Sequence, residues 1–100
     1  MKRPSPKLMK EAVRLASYYW DINEWRLVEV NPGALLRDSE SPQRHDVSDL
    51  VKIWKKAPQT IPPIVVTAVP GGDYKIVDGH HRHIAALAAK MKKIYVIEVR

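Results

Sequence analysis

Three segments of the chain carry apolar residues at intervals of three and four positions, the spacing that places side chains on one face of a helix. The first predicted helix spans about residues 7–20, the second begins after Asp46 and ends before Pro58, and the third spans 80–91. Asp46 is the predicted cap of the second helix, because its carboxylate can accept a hydrogen bond from the first turn. The predicted apolar stripes are Leu8, Ala12, Leu15, Ala16 and Tyr19; Val47, Leu50, Val51 and Trp54; and Ile84, Leu87, Ala88 and Met91.

Four shorter segments have the alternation or the β-branched composition that is typical of strands. They span residues 24–30, 61–69, 74–78 and 93–99. The Pro-Gly-Gly-Asp sequence at 70–73 predicts a turn that joins the second and third strands as a hairpin. Residues 35–46 are polar and rich in turn-forming residues, so they are predicted to form a loop.

The predicted order is helix, strand, loop, helix, strand, strand, helix, strand, which indicates a small α+β domain with a mixed sheet and flanking helices. A chain of 100 residues with 45% hydrophobic residues suits one compact domain with its own core. The net charge of +6 favours polyanionic partners such as nucleic acid or nucleotides. We find neither an apolar run long enough to span a bilayer nor a signal peptide, so we expect a cytoplasmic protein with no membrane partner.

The chain contains no cysteine, which excludes a disulfide scaffold, a thiolate metal site and a cysteine nucleophile. Residues that can bind a ligand are concentrated instead in the stretch "DGHHRH", where a predicted strand is followed by a predicted helix. The first N–H groups of a helix have no partner within the helix and attract anions. Gly79 allows close approach of a ligand, and the guanidinium of Arg82 suits bidentate contact with a phosphate. These features predict an anion site.

Two alternatives to an anion site remain open from the residue types alone. Asp78 and the histidines are suitable metal ligands in kind, but only His80 and His83 have a spacing that places them on a shared helix face. The second alternative is a polar helix start, with Asp78 as its cap and the histidines in solvent. His83 points away from His81 and is expected at the rim of the site or in solvent.

Longer stretches of the sequence resemble the ParB/sulfiredoxin superfamily. The resemblance rests on "PPIVV", "YKIVDGHHRHIAALAAK" and "KIYVIEV", with "WRLVEVNPGALL" and "VSDLVKIWKK" upstream. It covers about residues 25–100 and leaves a basic tail and amphipathic helix at 1–24 as a separate N-terminal unit. The resemblance implies a nucleotide or phosphate site at the start of the 80–91 helix, with His81 and Arg82 as phosphate ligands and Gly79 allowing close approach. We add the adjacent His80, and Thr67 as a further candidate donor to the phosphate.

The branches of this superfamily differ at the same turn. Sulfiredoxins place a cysteine directly before the His-Arg pair, where this chain has His80, so sulfiredoxin activity is not expected. ParB partition proteins bind and hydrolyse CTP, and carry a DNA-binding module downstream. The free-serine kinase branch has a turn similar to "DGHHR" and uses an acid in the loop after its first strand as a base. The candidates for that role here are Asp38 and Glu40, with Asp78 as a third catalytic candidate.

Our main hypothesis is therefore a nucleotide-binding domain that acts in nucleotide hydrolysis or phosphoryl transfer. The expected ligand is ATP, ADP or CTP, with or without magnesium, and no dedicated metal site is predicted. One alternative is a non-catalytic basic module that binds DNA or a DNA-bound partner. The other is a metal-dependent nuclease that uses Asp78, His80 and His81. The sequence leaves open whether the chain is an NTPase, a small-molecule kinase, a nuclease or no enzyme, and whether it acts as a homodimer.

Overall fold

A computed structural model describes residues 2–36 and 46–100. These residues form three α-helices and five strands, with short 3-10 helices at Pro32–Ala34 and Pro58–Thr60. The helices are α1 (Pro6–Ala16), α2 (Ser48–Lys56) and α3 (His80–Ala88). The strands are β1 (Trp25–Val30), β2 (Leu35–Leu36), β3 (Ile64–Ala68), β4 (Tyr74–Asp78) and β5 (Ile94–Val99).

The five strands form one sheet in the order β1-β5-β3-β4-β2. β5 is antiparallel to β1 and parallel to β3, while β4 is antiparallel to β3 and parallel to β2. The β3–β4 pair is the predicted hairpin, joined through Gly71 and Gly72, which both have positive φ. The predicted α+β class with a mixed sheet and flanking helices is confirmed.

Helices cover both faces of the sheet, because alternate residues of each strand point to opposite sides. Ile64 and Val66 of β3 pack with α2 and α3 in the larger core cluster, whereas Val65 between them packs under α1. Ala12 and Ala16 of α1 are buried in the second cluster, and their small side chains let the helix lie close to the sheet. The helix that precedes the resemblance therefore closes one face of the sheet.

Two element boundaries and one strand differ from the sequence predictions. α1 ends at Ala16 instead of residue 20, and α3 ends at Ala88 instead of 91. The predicted loop at 35–46 begins with an unpredicted strand, because Leu35 and Leu36 pair in parallel with Tyr74 and Lys75 of β4. A two-residue strand is too short to show alternation, and its pairing depends on a distant part of the chain. The rest of that loop, 37–45, lies outside the described residues.

The predicted cap of the second helix, Asp46, lies one residue before the cap position, which Val47 occupies. One carboxylate oxygen of Asp46 accepts hydrogen bonds from the backbone N–H of Ser48 at 3.0 Å and from its hydroxyl at 2.7 Å. These hydrogen bonds stabilise the ionised carboxylate and lower the pKa of Asp46. Asp46 thus holds the first residue of α2 from one position before the cap, and the prediction that it is the cap residue is wrong.

The turn between β4 and α3 requires glycine for two separate reasons. Gly79 has φ 109°, a left-handed conformation that side chains disfavour. A Cβ at this position would also lie 3.0 Å from Nη2 and 3.1 Å from Cζ of Arg82. The guanidinium of Arg82 therefore occupies the space that any other residue at position 79 would need.

Replacing Gly79 by alanine is expected to lower the free energy of unfolding more than the same change at Gly71. Both residues have positive φ, so both substitutions should cost about 1 kcal/mol or more in backbone strain. Only Gly79→Ala adds a steric clash, which typically costs about 1–3 kcal/mol more, because nothing lies within 4 Å of a Cβ at Gly71. Urea unfolding of the two variants measures the difference, and equal losses would contradict the packing of Arg82 against Gly79.

Candidate phosphate site

The candidate site lies where β4 ends and α3 begins. The first intrahelical hydrogen bond of α3 runs from the N–H of His83 to the carbonyl of Gly79, at 2.9 Å. The N–H groups of the three preceding residues belong to the first turn, where a helix offers donors and partial positive charge to an anion. Gly79 is buried, whereas His80 and His81 are exposed. The turn therefore combines a buried glycine with two exposed histidines in the first turn of the helix.

Arg82 forms the inner wall of this turn. Its Nη1 donates to the carbonyl oxygens of Pro62 at 2.7 Å and Pro63 at 3.0 Å, and only 18% of its side chain is exposed. Its Nη2 lies 3.8 Å from Oδ2 of Asp78. Burial lowers the pKa of the guanidinium, and the neighbouring Asp78 carboxylate opposes that effect. Arg82 thus fastens the start of α3 to the segment that leads into β3, and its predicted contact with a phosphate stays a prediction.

Trp54 of α2 forms a hydrogen bond with the backbone of Arg82. Nε1 of Trp54 donates to the carbonyl of Arg82 at 3.0 Å, and only 3% of Trp54 is exposed. Trp54 is therefore a core residue, as its place in the predicted apolar stripe indicates. Its indole fixes the backbone of α3 at the position where the guanidinium leaves the helix.

The prediction that His83 lies in solvent or at the rim is wrong. Only 2% of His83 is exposed, and its Nε2 lies 2.8 Å from the carbonyl oxygen of Pro32. The predicted apolar stripe of α3 is also wrong, since Leu87 is 43% exposed and Ala88 is exposed as well. The face that packs against the sheet consists of His83, Ala85, Ala86 and Ala89. Small alanines bring the helix close to the sheet, and a pattern search weighted towards large apolar residues overlooks them.

The structure does not bring all the predicted site residues together. Thr67 pairs with Lys75, three residues along β4 from Asp78, which corresponds to about 10 Å along the strand. The hydroxyl of Thr67 instead donates to the carbonyl of Val99 at 3.3 Å. Asp38 and Glu40 lie outside the described residues.

Asp78 does not occupy the cap position of α3, which belongs to Gly79. Tyr19 lies in the turn after α1, and 57% of it is exposed. Partial burial of its phenol and the nearby Asp78 carboxylate raise the pKa of Tyr19 to about 12. Sequence reasoning placed Tyr19 in the apolar stripe of the first helix and did not relate it to Asp78.

Within residues 2–36 and 46–100, no three His, Cys, Asp or Glu side chains come together as a potential metal site. Over the same residues, no helix is long and apolar enough to cross a bilayer.

Solved structures of ParB are similar to this chain. The complex of ParB from Caulobacter crescentus with CTP-γ-S has 28% sequence identity to this chain and a TM-score of 0.61, and the match covers 73% of this chain and 43% of that one. ParB from the same organism bound to the centromeric parS site has 30% identity and a TM-score of 0.56, over 67% of this chain and 37% of that one. This chain therefore matches less than half the length of either ParB chain.

Sulfiredoxin from Arabidopsis thaliana shares the fold at 22% identity, with a TM-score of 0.59 over 73% of this chain and 83% of that one. No curated protein matches the sequence. The sequence profile of the ParB N-terminal domain matches residues 21–100, which include the whole sheet, α2, α3 and the turn at Gly79. These findings confirm the resemblance to the ParB/sulfiredoxin superfamily, and the chain belongs to the ParB N-terminal domain family.

Proposed function

We propose that this chain binds the phosphate groups of a nucleoside triphosphate at the turn from Gly79 to Arg82, and that CTP is the first candidate. The observation that carries the proposal is the guanidinium of Arg82 held against a left-handed glycine at the start of a helix. Backbone donors, helix dipole and a fixed cation then favour an anion at one place. The choice of CTP rests on the similarity to ParB, which was solved with CTP-γ-S.

Each residue of the turn has a distinct proposed role. Gly79 lets the phosphate approach the backbone, and Arg82 supplies positive charge from the wall. His80 and His81 are exposed, so they can reach the phosphate from the solvent side. Thr67 is not included, because its hydroxyl lies elsewhere along β3.

Hydrolysis or phosphoryl transfer is the proposed output of nucleotide binding. Such reactions depend chiefly on positioning and on neutralising charge, with an acidic residue orienting the attacking group. β2 runs parallel to β4, so both strands point towards the end of the sheet where Gly79 lies. Asp38 and Glu40 follow β2 in the sequence, which supports them as the candidate bases. Asp78 is less suitable, because Arg82, at 3.8 Å, already neutralises part of its charge.

Nucleotide binding is tested by calorimetric titration of CTP and ATP, with and without magnesium, into wild type, His81→Ala and Arg82→Lys. We expect each substitution to weaken binding about tenfold or more, because a hydrogen bond to a charged group contributes about 1.5–3 kcal/mol. Arg82→Lys also loses the fork that reaches the carbonyls of Pro62 and Pro63, so its folding is checked by thermal unfolding.

Lys92→Ala is the matched control for this titration. It removes one exposed positive charge at the other end of α3, so it should leave the affinity within about twofold at physiological salt, where charges beyond about 8 Å are screened. Wild type that binds neither nucleotide at millimolar concentration would disprove the proposal. An equal loss in Lys92→Ala would mean that net charge alone, and not the turn, attracts the nucleotide.

Turnover is tested by the release of inorganic phosphate from the bound nucleotide. If Asp38 or Glu40 orients the attacking group, Asp38→Asn or Glu40→Gln should lower the rate about 100-fold and leave nucleotide affinity nearly unchanged. Asp73→Asn, in the turn on the far side of β4, is the control and should keep the wild-type rate. Wild type that binds nucleotide without releasing phosphate would identify a binding domain without catalysis.

DNA binding is a second candidate function. It is favoured by the net charge of +6 and by the similarity to ParB solved with its parS site. The lysines of α2, Lys52, Lys55 and Lys56, are exposed on the helix that contacts Arg82 through Trp54. We propose that this helix faces the DNA backbone.

The salt dependence of binding to duplex DNA tests this second function. Three phosphate contacts predict that log affinity falls with log salt at a slope of about −3, since each contact contributes about 0.9. Replacing the three α2 lysines by glutamine should flatten the slope, whereas replacing Lys90, Lys92 and Lys93 should not. A flat slope for wild type, or no binding at low salt, would exclude this function.

A further inference from the structure

Most of the net charge of the chain lies outside the segment that the family match covers. Residues 2–20 contain five basic residues and one acid, which give a net charge of +4 out of the +6 of the whole chain. The match begins at residue 21, so the segment that it covers carries only +2. Attraction for polyanions is therefore concentrated at α1 and the tail before it.

The outward side of α1 presents part of this charge as a stripe. The helix packs on the sheet through Ala12 and Ala16, which leaves the opposite side in solvent. Basic residues recur on that side at intervals of three and four, the spacing of neighbours on a helix surface. The stripe contains a surface groove of about 550 Å³, and the residues that line it are Lys7, Leu8, Lys10, Glu11 and Arg14.

Tyr18 extends the stripe by one more turn and is held in place there. It is 72% exposed, and its hydroxyl accepts a hydrogen bond from Nη1 of Arg14 at 2.7 Å. The guanidinium carbon of Arg14 lies 5.8 Å from the centre of the Tyr18 ring. Glu11 in turn fixes Arg14, because its carboxylate accepts hydrogen bonds from Nε at 2.9 Å and from Nη2 at 2.6 Å. An exposed aromatic ring is thus fixed at the end of the basic stripe.

We propose that the outward side of α1 is an interaction surface for single-stranded nucleic acid, with Lys7 and Lys10 on the phosphates and Tyr18 against a base. Cations attract the phosphates of a strand, and an aromatic ring stacks on a base that has no partner strand. The hydrogen bond between Arg14 and Tyr18 is already formed, so the ring loses little freedom on binding. This surface is separate from the turn at Gly79 and from the lysines of α2.

A duplex and a lipid surface fit these features less well. The bases of a duplex are stacked on one another inside the helix, so they leave a protruding ring without a partner. A helix that binds a lipid surface enters it with its apolar side. The apolar side of α1 is covered by the sheet, where Met9 and Val13 pack against the core.

The role of Tyr18 is tested by fluorescence anisotropy with labelled poly-dT and poly-rU strands of about 15 nucleotides, and with a duplex of the same length. Wild type should bind the single strands more tightly than the duplex. Tyr18→Ala should weaken binding to the single strands about fivefold or more, the loss typical of one stacked base, and leave duplex binding within about twofold. Tyr18→Phe keeps the ring and should retain most of the affinity.

The role of the lysines is tested by the salt dependence of binding to the same strands. Replacing Lys7 and Lys10 by glutamine should flatten the slope of log affinity against log salt by about 1.4, because each phosphate contact on a single strand contributes about 0.7. Replacing Lys92 and Lys93 by glutamine is the matched control, since it removes the same charge from exposed positions after α3 and should leave the slope unchanged. Thermal unfolding checks that each variant folds as wild type does.

The outcomes that would overturn the inference are distinct. Wild type that binds the duplex or polyglutamate as tightly as the single strands would indicate attraction to charge alone. Wild-type affinity in Tyr18→Ala, or an equal loss of slope in the variant at Lys92 and Lys93, would exclude the α1 surface. Binding to phosphatidylserine vesicles and not to the strands would identify a membrane surface instead. None of these outcomes depends on nucleotide binding at Gly79, so the two proposals can fail separately.

Discussion

The guanidinium of Arg82 is the interaction on which the candidate site depends. It lies against Gly79, donates to the carbonyls of Pro62 and Pro63, and shares its charge with Asp78. Proline supplies no N–H, but its carbonyl remains a full acceptor, so a paired Pro-Pro segment offers two acceptors without competing donors. A single cation thus joins the start of α3 to the segment before β3, and the shape of the turn follows from that connection.

The side chain of Arg82 has two requirements to meet: it must keep its own hydrogen bonds, and it must leave one side for a ligand or for Asp78. A buried guanidinium must keep its hydrogen bonds, because unpaired donors in a dry environment are costly. Two of its donors face carbonyl groups, and the side towards Gly79 and Asp78 remains for a ligand or for the acid. A cation whose geometry is already fixed loses little freedom on binding, which favours recognition of a compact anion.

The sequence predicted the features that depend on local spacing. β4, the hairpin and the helix start at residue 80 follow from alternation, turn residues and a glycine, and the structure contains them. The burial of His83 was not predictable in this way. It depends on the carbonyl of Pro32 in another segment and on a helix face of alanines, which contribute little to a hydrophobic pattern. The packing of α1 on the sheet through Ala12 and Ala16 also depends on distant parts of the chain.

The position of α1 bears on how domains of this kind diverge. Val65, Ile97 and Val99 are fully buried on the face that α1 covers, yet α1 precedes the segment that the family shares. A relative without an equivalent helix would expose that apolar strip to water and would need another segment or another polypeptide to shield it. In this chain α1 shields that strip, so the helix outside the matched segment completes the core of the domain.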